Sequence, residues 1–365
     1  MTEDFLEKKL KKRAEDHSLR KLVIPPDDMI DFTSNDYLGI VKNKVIEQSI
    51  HGNLSHGSTG SRLLSGNYPL IEETENLIAK FHNAEAALIF NSGYDANTGL
   101  LSSVPQKNDT IIYDQLSHSS LRDGIRLSFA NAFSFFHNDL NDLEKKLKSA
   151  GNVGQKFVVT ESVFSMDGDK APLKEIAELC EKYNAALIID EAHATGIIGE
   201  KGEGLVQQSG LEKKCFTRIH TFGKACGVHG AAVVGSKKLK EYLINFSRQF
   251  IYSTSLPPAA VQAIKVSYET FPLMKEERKY LNELVAIFQN STLRFKILES
   301  DTPIQPVVIP GNEEVKKVAE LCLQHNFDIR PILYPTVPKG QERLRVVLHS
   351  FNTEEEITSL RDPLK

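Results

Sequence analysis

No cysteine of this 365-residue chain stands in a C-x-x-C pair: Cys180, Cys215, Cys226 and Cys322 are scattered. That spacing indicates neither a zinc or other metal site nor a disulfide framework, and it fits reduced thiols in a cytosol. No apolar run reaches the roughly 18 residues that a membrane-spanning helix needs. The opening MTEDFLEKKLKKRAED is a charged helical pattern without the apolar stretch of a secretion signal. A cytoplasmic protein is expected, not bound to membrane. Charge of one sign is scarce too, because 44 Lys and Arg stand against 48 Asp and Glu for a net charge of -4, which gives no attraction to nucleic acid. Repeats and low-complexity segments are missing.

Two nucleotide signatures are also lacking. D-E-A-H at 190–193 matches a helicase motif, but that chemistry needs G-x-x-x-x-G-K followed by Ser or Thr upstream, and Gly151 to Lys156 is one residue short of it. A nicotinamide dehydrogenase needs G-x-G-x-x-G between a first strand and helix, and none occurs.

What is present is an ordinary globular composition, 41% hydrophobic and 25% charged. Short apolar runs at 86–90, 110–114, 156–160, 185–190, 218–222 and 231–236 alternate with amphipathic stretches such as LEKKLKSA and PLKEIAELCEKYN. This alternation predicts an α/β core, a mostly parallel sheet covered by helices on both faces. From about Pro257 longer helical segments and a few strand-like runs predict a smaller α+β domain. The expected division is 1–40 as a segment packing on that small domain, 41–256 as the large domain and 257–365 as the small one.

In open parallel sheets ligands sit at the carboxyl ends of strands, so the residues after each run matter most. Asp190 ends the apolar strand AALIID, and a carboxylate leaving a buried strand is costly unless something cationic or protonated meets it. Lys224, in TFGKACG, also follows a strand. A lysine that bonds an aldehyde must be deprotonated, which partial burial or a cationic neighbour achieves. Pyridoxal 5′-phosphate unites the pair: its aldehyde takes the lysine and its pyridinium nitrogen needs a carboxylate. A phosphate acceptor is expected where NSGYDAN follows a strand, at Ser92, Gly93 and Tyr94 on a helix start. Thr221, Ser253, Thr254 and Ser255 add hydroxyls. His118 suits the face of the pyridine ring, and His193 suits its phenolic oxygen.

The ordered segments DFTSNDYLG, HGSTGSRLLSG, NSGYDAN, SHSSLRDG, TESVFSMDGD, DEAHATGIIGEKGEG, TFGKACG and YSTSLPP together resemble the α-oxoamine synthases. These are pyridoxal-phosphate enzymes of the aspartate-aminotransferase fold, fold type I. The resemblance implies catalytic roles for Lys224, His118, Asp190 and His193, with Lys224 as covalent anchor and base, Asp190 as pyridinium partner and His118 stacked on the ring. It adds Ser165 to Thr221 as cofactor contacts, gives Arg345 to the amino-acid carboxylate, and ties Arg20 and Arg330 to substrate. Asn35 and Tyr37 are expected near the site. It further implies decarboxylative condensation of a small amino acid with an acyl thioester, in a homodimer with shared active sites. TFGKxxGxxGAAV and IYSTSLPP favour the biotin-pathway branch, which joins alanine to a pimeloyl thioester on coenzyme A or a carrier protein. A glycine-using relative and a non-catalytic subunit of the same fold are the alternatives. In PILYPTVP the chain is a few residues longer than that branch's pattern, which bears on the acyl end of the site.

Overall fold

The computed structural model describes residues 3–26, 28–50, 52 and 54–365. They form two compact units. One comprises 38–164 and 170–276, the other 1–37, 165–169 and 277–365. Among the described residues no helix is long and apolar enough to cross a membrane.

Strand β1 (Ile30–Asp31) belongs to the smaller unit. The next seven, β2 (Ala86–Phe90), β3 (Thr110–Asp114), β4 (Asn131–Phe135), β5 (Lys156–Glu161), β6 (Ala185–Asp190), β7 (Thr217–Thr221) and β8 (Ala231–Gly235), make the sheet of the larger unit in the order β2-β8-β7-β6-β5-β3-β4. All neighbours are parallel except β8, which runs antiparallel to both β2 and β7. The reason is local: residues 222–230, which join β7 to β8, contain no helix, and a parallel return would need a crossover of about a dozen residues or more.

The apolar runs are continuous because both faces are covered. Alternate residues of one strand enter different cores: Phe157 and Val159 pack with Leu100, Leu121 and Ile125 on one side, while Val158 packs with Leu143, Leu147 and Ile176 on the other. Each such side chain contributes roughly 1.5–3 kcal/mol of transfer free energy. Strand β4, NAFSF, shows no apolar run; it is the sheet edge, and four of its five residues face solvent. That exposure is why hydrophobic patterning passes over it.

In the smaller unit β1 pairs in parallel with β11 (Phe327–Asp328). A second sheet, antiparallel throughout, orders β12 (Pro331–Ile332), β13 (Arg343–Val347), β10 (Ile304–Val308) and β9 (Lys296–Ile297). The helix Pro258–Thr270 clusters with the larger unit and not with the smaller, to which the change of pattern at Pro257 had assigned it. Its Tyr268 and the following Phe271 meet Phe81 edge-on at 5.6 and 5.4 Å, which ties it to the helix Pro69–Phe81.

The turn after β6 is fixed by a buried acid. Burial pushes Glu191 up to about 7, and its Oε1 accepts the Val206 N–H at 3.3 Å. Gly204 lies against this carboxylate with φ +101°, and a Cβ there would collide with Glu191 Oε2. Gly204→Ala is therefore expected to cost about 3 kcal/mol, backbone strain plus overpacking. Gly151→Ala, also at positive φ but with open space around it, isolates the strain and should cost about 1 kcal/mol. Urea denaturation measures both, and equal costs would contradict the collision.

Candidate active site

Adjacent parallel strands β5, β6 and β7 end in Glu161, Asp190 and Thr221. Glu161 and Asp190 are register partners, so two acids leave the sheet side by side, both almost fully buried. Asp190 is met from two sides: Asn97 Nδ2 donates to Oδ2 at 2.7 Å, and the Ala192 N–H donates to Oδ1 at 2.8 Å.

From Asp190 a chain of hydrogen bonds runs to His118. Asn97 Nδ2 also donates to Ser120 Oγ at 2.9 Å, and Ser120 Oγ lies 2.7 Å from His118 Nδ1. The Ser120 N–H donates to the same Nδ1 at 3.2 Å, which caps the helix Ser119–Leu127. The donors fix the proton inventory. A carboxylate only accepts, so the Asn97 amide nitrogen must face Asp190. Ser120 Oγ then accepts from Asn97 and donates to Nδ1, which leaves His118 neutral with its proton on Nε2. The lowered pKa of His118 agrees, since burial of the ring among protein atoms outweighs the opposing charge of Asp190. Even so the residue as a whole is exposed.

Glu161 accepts the His118 N–H at 2.6 Å. Burial first, and the charge of Asp190 second, hold this acid well above the ordinary carboxylate range. Glu161 is thus biased toward the protonated form.

Lys224 is half-buried just past β7, with Nζ donating to Thr221 Oγ1 at 3.2 Å. The Thr221 methyl abuts Gly93, where any Cβ would collide with it, so the start of the helix Gly93–Ser103 rests against the end of β7. Ser92 caps that helix, accepting the Asp95 N–H at 3.0 Å and donating to Asp95 Oδ2 at 2.8 Å. The Gly93 and Tyr94 N–H groups head the helix, where no intrahelical acceptor exists, and point a partial positive charge outward. His193 is buried three residues beyond Asp190. A buried carboxylate met by two donors, an amine, an imidazole and a helix start within one set of strand ends fit a planar, phosphorylated, cationic ring bearing an aldehyde. Pyridoxal phosphate has these groups.

A family model described as aminotransferase class I and II matches residues 27–364. The chain is 38% identical to an 8-amino-7-oxononanoate synthase of Emericella nidulans, over 99% of this chain and 94% of that protein. It is also 38% identical to one of Lysinibacillus sphaericus, over 92% and 87%. Among solved structures it is similar to serine palmitoyltransferase from S. paucimobilis with a bound PLP–myriocin aldimine, at TM-score 0.88, 26% identity and coverage of 99% and 96%. The 8-amino-7-oxononanoate synthase of Francisella tularensis aligns at TM-score 0.75, 29% identity, 93% and 97% coverage. The chain belongs to the class I and II aminotransferase family. Within it the chain is an α-oxoamine synthase, a pyridoxal-phosphate-dependent acyltransferase of fold type I.

The remaining expected residues of this synthase are placed as follows. Asn91, next to Ser92, donates to the Thr254 carbonyl at 2.8 Å, and Thr254 bridges to Ser61. Thr254 thus lies beside Asn91, at the approach to the 93–103 helix. Tyr94 is exposed and its hydroxyl is taken by Asp123. In the smaller unit, Arg345 on β13 donates from Nε to the Ser165 carbonyl at 2.6 Å and from Nη2 to Asn35 Oδ1 at 3.0 Å. Tyr37, fully buried and pushed up to about 12 by that burial, donates to the same Asn35 oxygen at 3.1 Å. Arg330 pairs with Asp328 at 2.8 Å, and exposed Arg20 donates to Thr336 Oγ1 at 3.0 Å.

Asn97, Ser120 and Glu161 escape the reading by motif. Glu161 carries the same signal as Asp190, an acid closing a buried strand. Asn97 stands one helical turn from Gly93 and so shares its face.

Glu161→Gln, which imitates the protonated acid, is predicted to keep the His118 bond. A carboxyl whose folded-state pKa is raised contributes stability that is full below its unfolded value, near 4.5, and is lost as pH rises. The stability gained by Glu161→Gln over wild type should therefore widen above pH 4.5 by up to about 1.4 kcal/mol per pH unit until the folded acid ionises. Urea titrations of the cofactor-free protein across pH measure it. A gap independent of pH would contradict the assignment.

Proposed function

We propose that this synthase condenses L-alanine with a pimeloyl thioester, releasing carbon dioxide and the thiol and forming 8-amino-7-oxononanoate for biotin synthesis. The observation that carries the reading is near full-length similarity to relatives bearing that name, joined to strand ends that supply Lys224 and Asp190.

Pyridoxal phosphate, when bound, supplies an electron sink for negative charge at the substrate Cα. Asp190 would keep a proton on the ring nitrogen, and Asn97 and the Ala192 N–H orient Asp190 by donating to it. His118 would stack on the ring and His193 would donate to the phenolic oxygen. The Gly93 and Tyr94 N–H groups, Ser92 and Thr221 take the phosphate, with Ser253, Thr254 and Ser165 as further contacts. Lys224 anchors the cofactor, then takes the Cα proton as general base and returns one after carbon dioxide leaves. Arg345 holds the amino-acid carboxylate; a guanidinium suits it by its fork of donors. Arg20 and Arg330 serve the acyl substrate.

A homodimer belongs to the same proposal. Leu127, Phe129, Phe133 and Phe136 are at least half exposed along and beside edge strand β4, an apolar row that a second subunit would cover. Light scattering should return twice the 40.8 kDa chain, and a monomer would contradict it.

Thiol release from pimeloyl thioesters is expected with alanine, and Lys224→Ala should lower the rate by about 10²-fold or more at unchanged thermal stability. Turnover with glycine but not alanine would overturn the amino-acid assignment. Normal turnover by Lys224→Ala would overturn the base.

A further inference from the structure

Glu75 lies in the helix Pro69–Phe81 with its side chain fully buried, and three elements meet its carboxyl. Arg62 gives it both guanidinium arms, Nη1 to Oε1 at 2.7 Å and Nη2 to Oε2 at 3.4 Å. Lys240 Nζ, from the helix Lys237–Phe246, donates to Oε2 at 2.7 Å, and the Ile89 N–H of β2 donates to Oε1 at 3.0 Å. β2 is an edge of its sheet, and the acid takes the N–H that a further strand would have met.

Two routes lead from this acid to Thr254. Along β2, Ile89 is followed by Phe90 and Asn91, and Asn91 Nδ2 donates to the Thr254 carbonyl at 2.8 Å; Ser92 and the helix start at Gly93 come next. Through Arg62, the preceding Ser61 is bridged to Thr254. The Ser255 N–H donates to the Gly60 carbonyl at 3.0 Å, and Ser58 Oγ donates to the Ser255 carbonyl at 2.7 Å. The joint has little slack. Gly66 lies against the Gly60 carbonyl and Ser255, where a Cβ would collide with both. The cavity that Arg62, Asn91 and Thr254 help to line is about 10 Å³, room for a single water.

A buried acid paired with cations contributes little stability beyond what apolar side chains of the same volume would supply. What it fixes is direction. Arg62 is held at both arms by Glu75 and at Nε by Asn67 Oδ1, 2.8 Å away, and a planar fork so held sets the course of the chain beside it. The segments reached in this way, 91–94 and 253–255, are those to which the proposed function gives the phosphate of the cofactor. We infer that Glu75 is a positioning residue for cofactor recognition, acting on no reacting atom itself and holding both phosphate-binding segments through Ile89 and Arg62. The inference rests on the phosphate contacts of that reading, and its measurement requires no turnover.

The test compares pyridoxal phosphate with pyridoxal, which carries the same aldehyde and no phosphate. Both are titrated into the full-length enzyme stripped of cofactor, as wild type, Glu75→Gln, Arg62→Met and Lys240→Met. Wild type should prefer the phosphorylated aldehyde. Glu75→Gln and Arg62→Met should each lose at least about tenfold of that preference while binding pyridoxal as wild type does. Lys240→Met removes a cation that joins neither route and should keep the full preference. Should Glu75→Gln not fold, Arg62→Met decides the question, because Glu75 there keeps Lys240 and Ile89 as partners. An undiminished preference in Arg62→Met, an equal loss for both aldehydes, or the same loss in Lys240→Met would overturn the inference and leave the ion pairs as structural support. Wild type that does not distinguish the aldehydes would overturn the phosphate contacts and the positioning role together. The predicted loss of preference in an enzyme that turns over no thioester would instead refute the proposed condensation and leave the positioning role standing.

Discussion

The hydrogen bond from Asn97 Nδ2 to Asp190 is the contact on which the site depends. A carboxylate at the end of a buried strand is costly unless donors meet it. Asn97 gives one N–H to this acid and uses the other to start the relay through Ser120 to His118. One amide therefore orients the acid and sets the tautomer of the imidazole together.

Glu161 shows the other outcome of the same burial. It lies in register with Asp190 on the neighbouring strand and has a backbone N–H as its hydrogen-bond donor. Two charges so close in a low-dielectric setting repel, and the acid with fewer donors gives way. The smaller unit solves a related problem differently. Arg345 is buried on a central strand, and its guanidinium is aimed by a carbonyl and an asparagine oxygen, neither of them ionised. A guanidinium oriented without a carboxylate partner keeps its charge available for a substrate acid.

Much of this was legible in the residue order. Strand ends follow from apolar runs that stop at polar residues, and that rule alone reaches Asp190, Thr221 and, with one residue more, Glu161. Lys224 was found from its place between two strands. Asn97 was not, because its role depends on how one helix is rotated against the sheet, which a single residue in GYDAN does not state. The edge strand β4 and the packing of helix 258–270 were missed for the reverse reason. Exposure removes the period-2 signal from NAFSF, and the Phe81, Tyr268 and Phe271 contacts join distant segments.

The central claim is that the amine past β7, and no other, meets the cofactor held by the acid ending β6. Reducing the pyridoxal-phosphate-loaded enzyme with borohydride and mapping the labelled peptide tests this most directly. The account predicts a single modified lysine, Lys224, with labelling sharply reduced in Asp190→Asn. A label on any other lysine, or undiminished labelling without the Asp190 carboxylate, would contradict it.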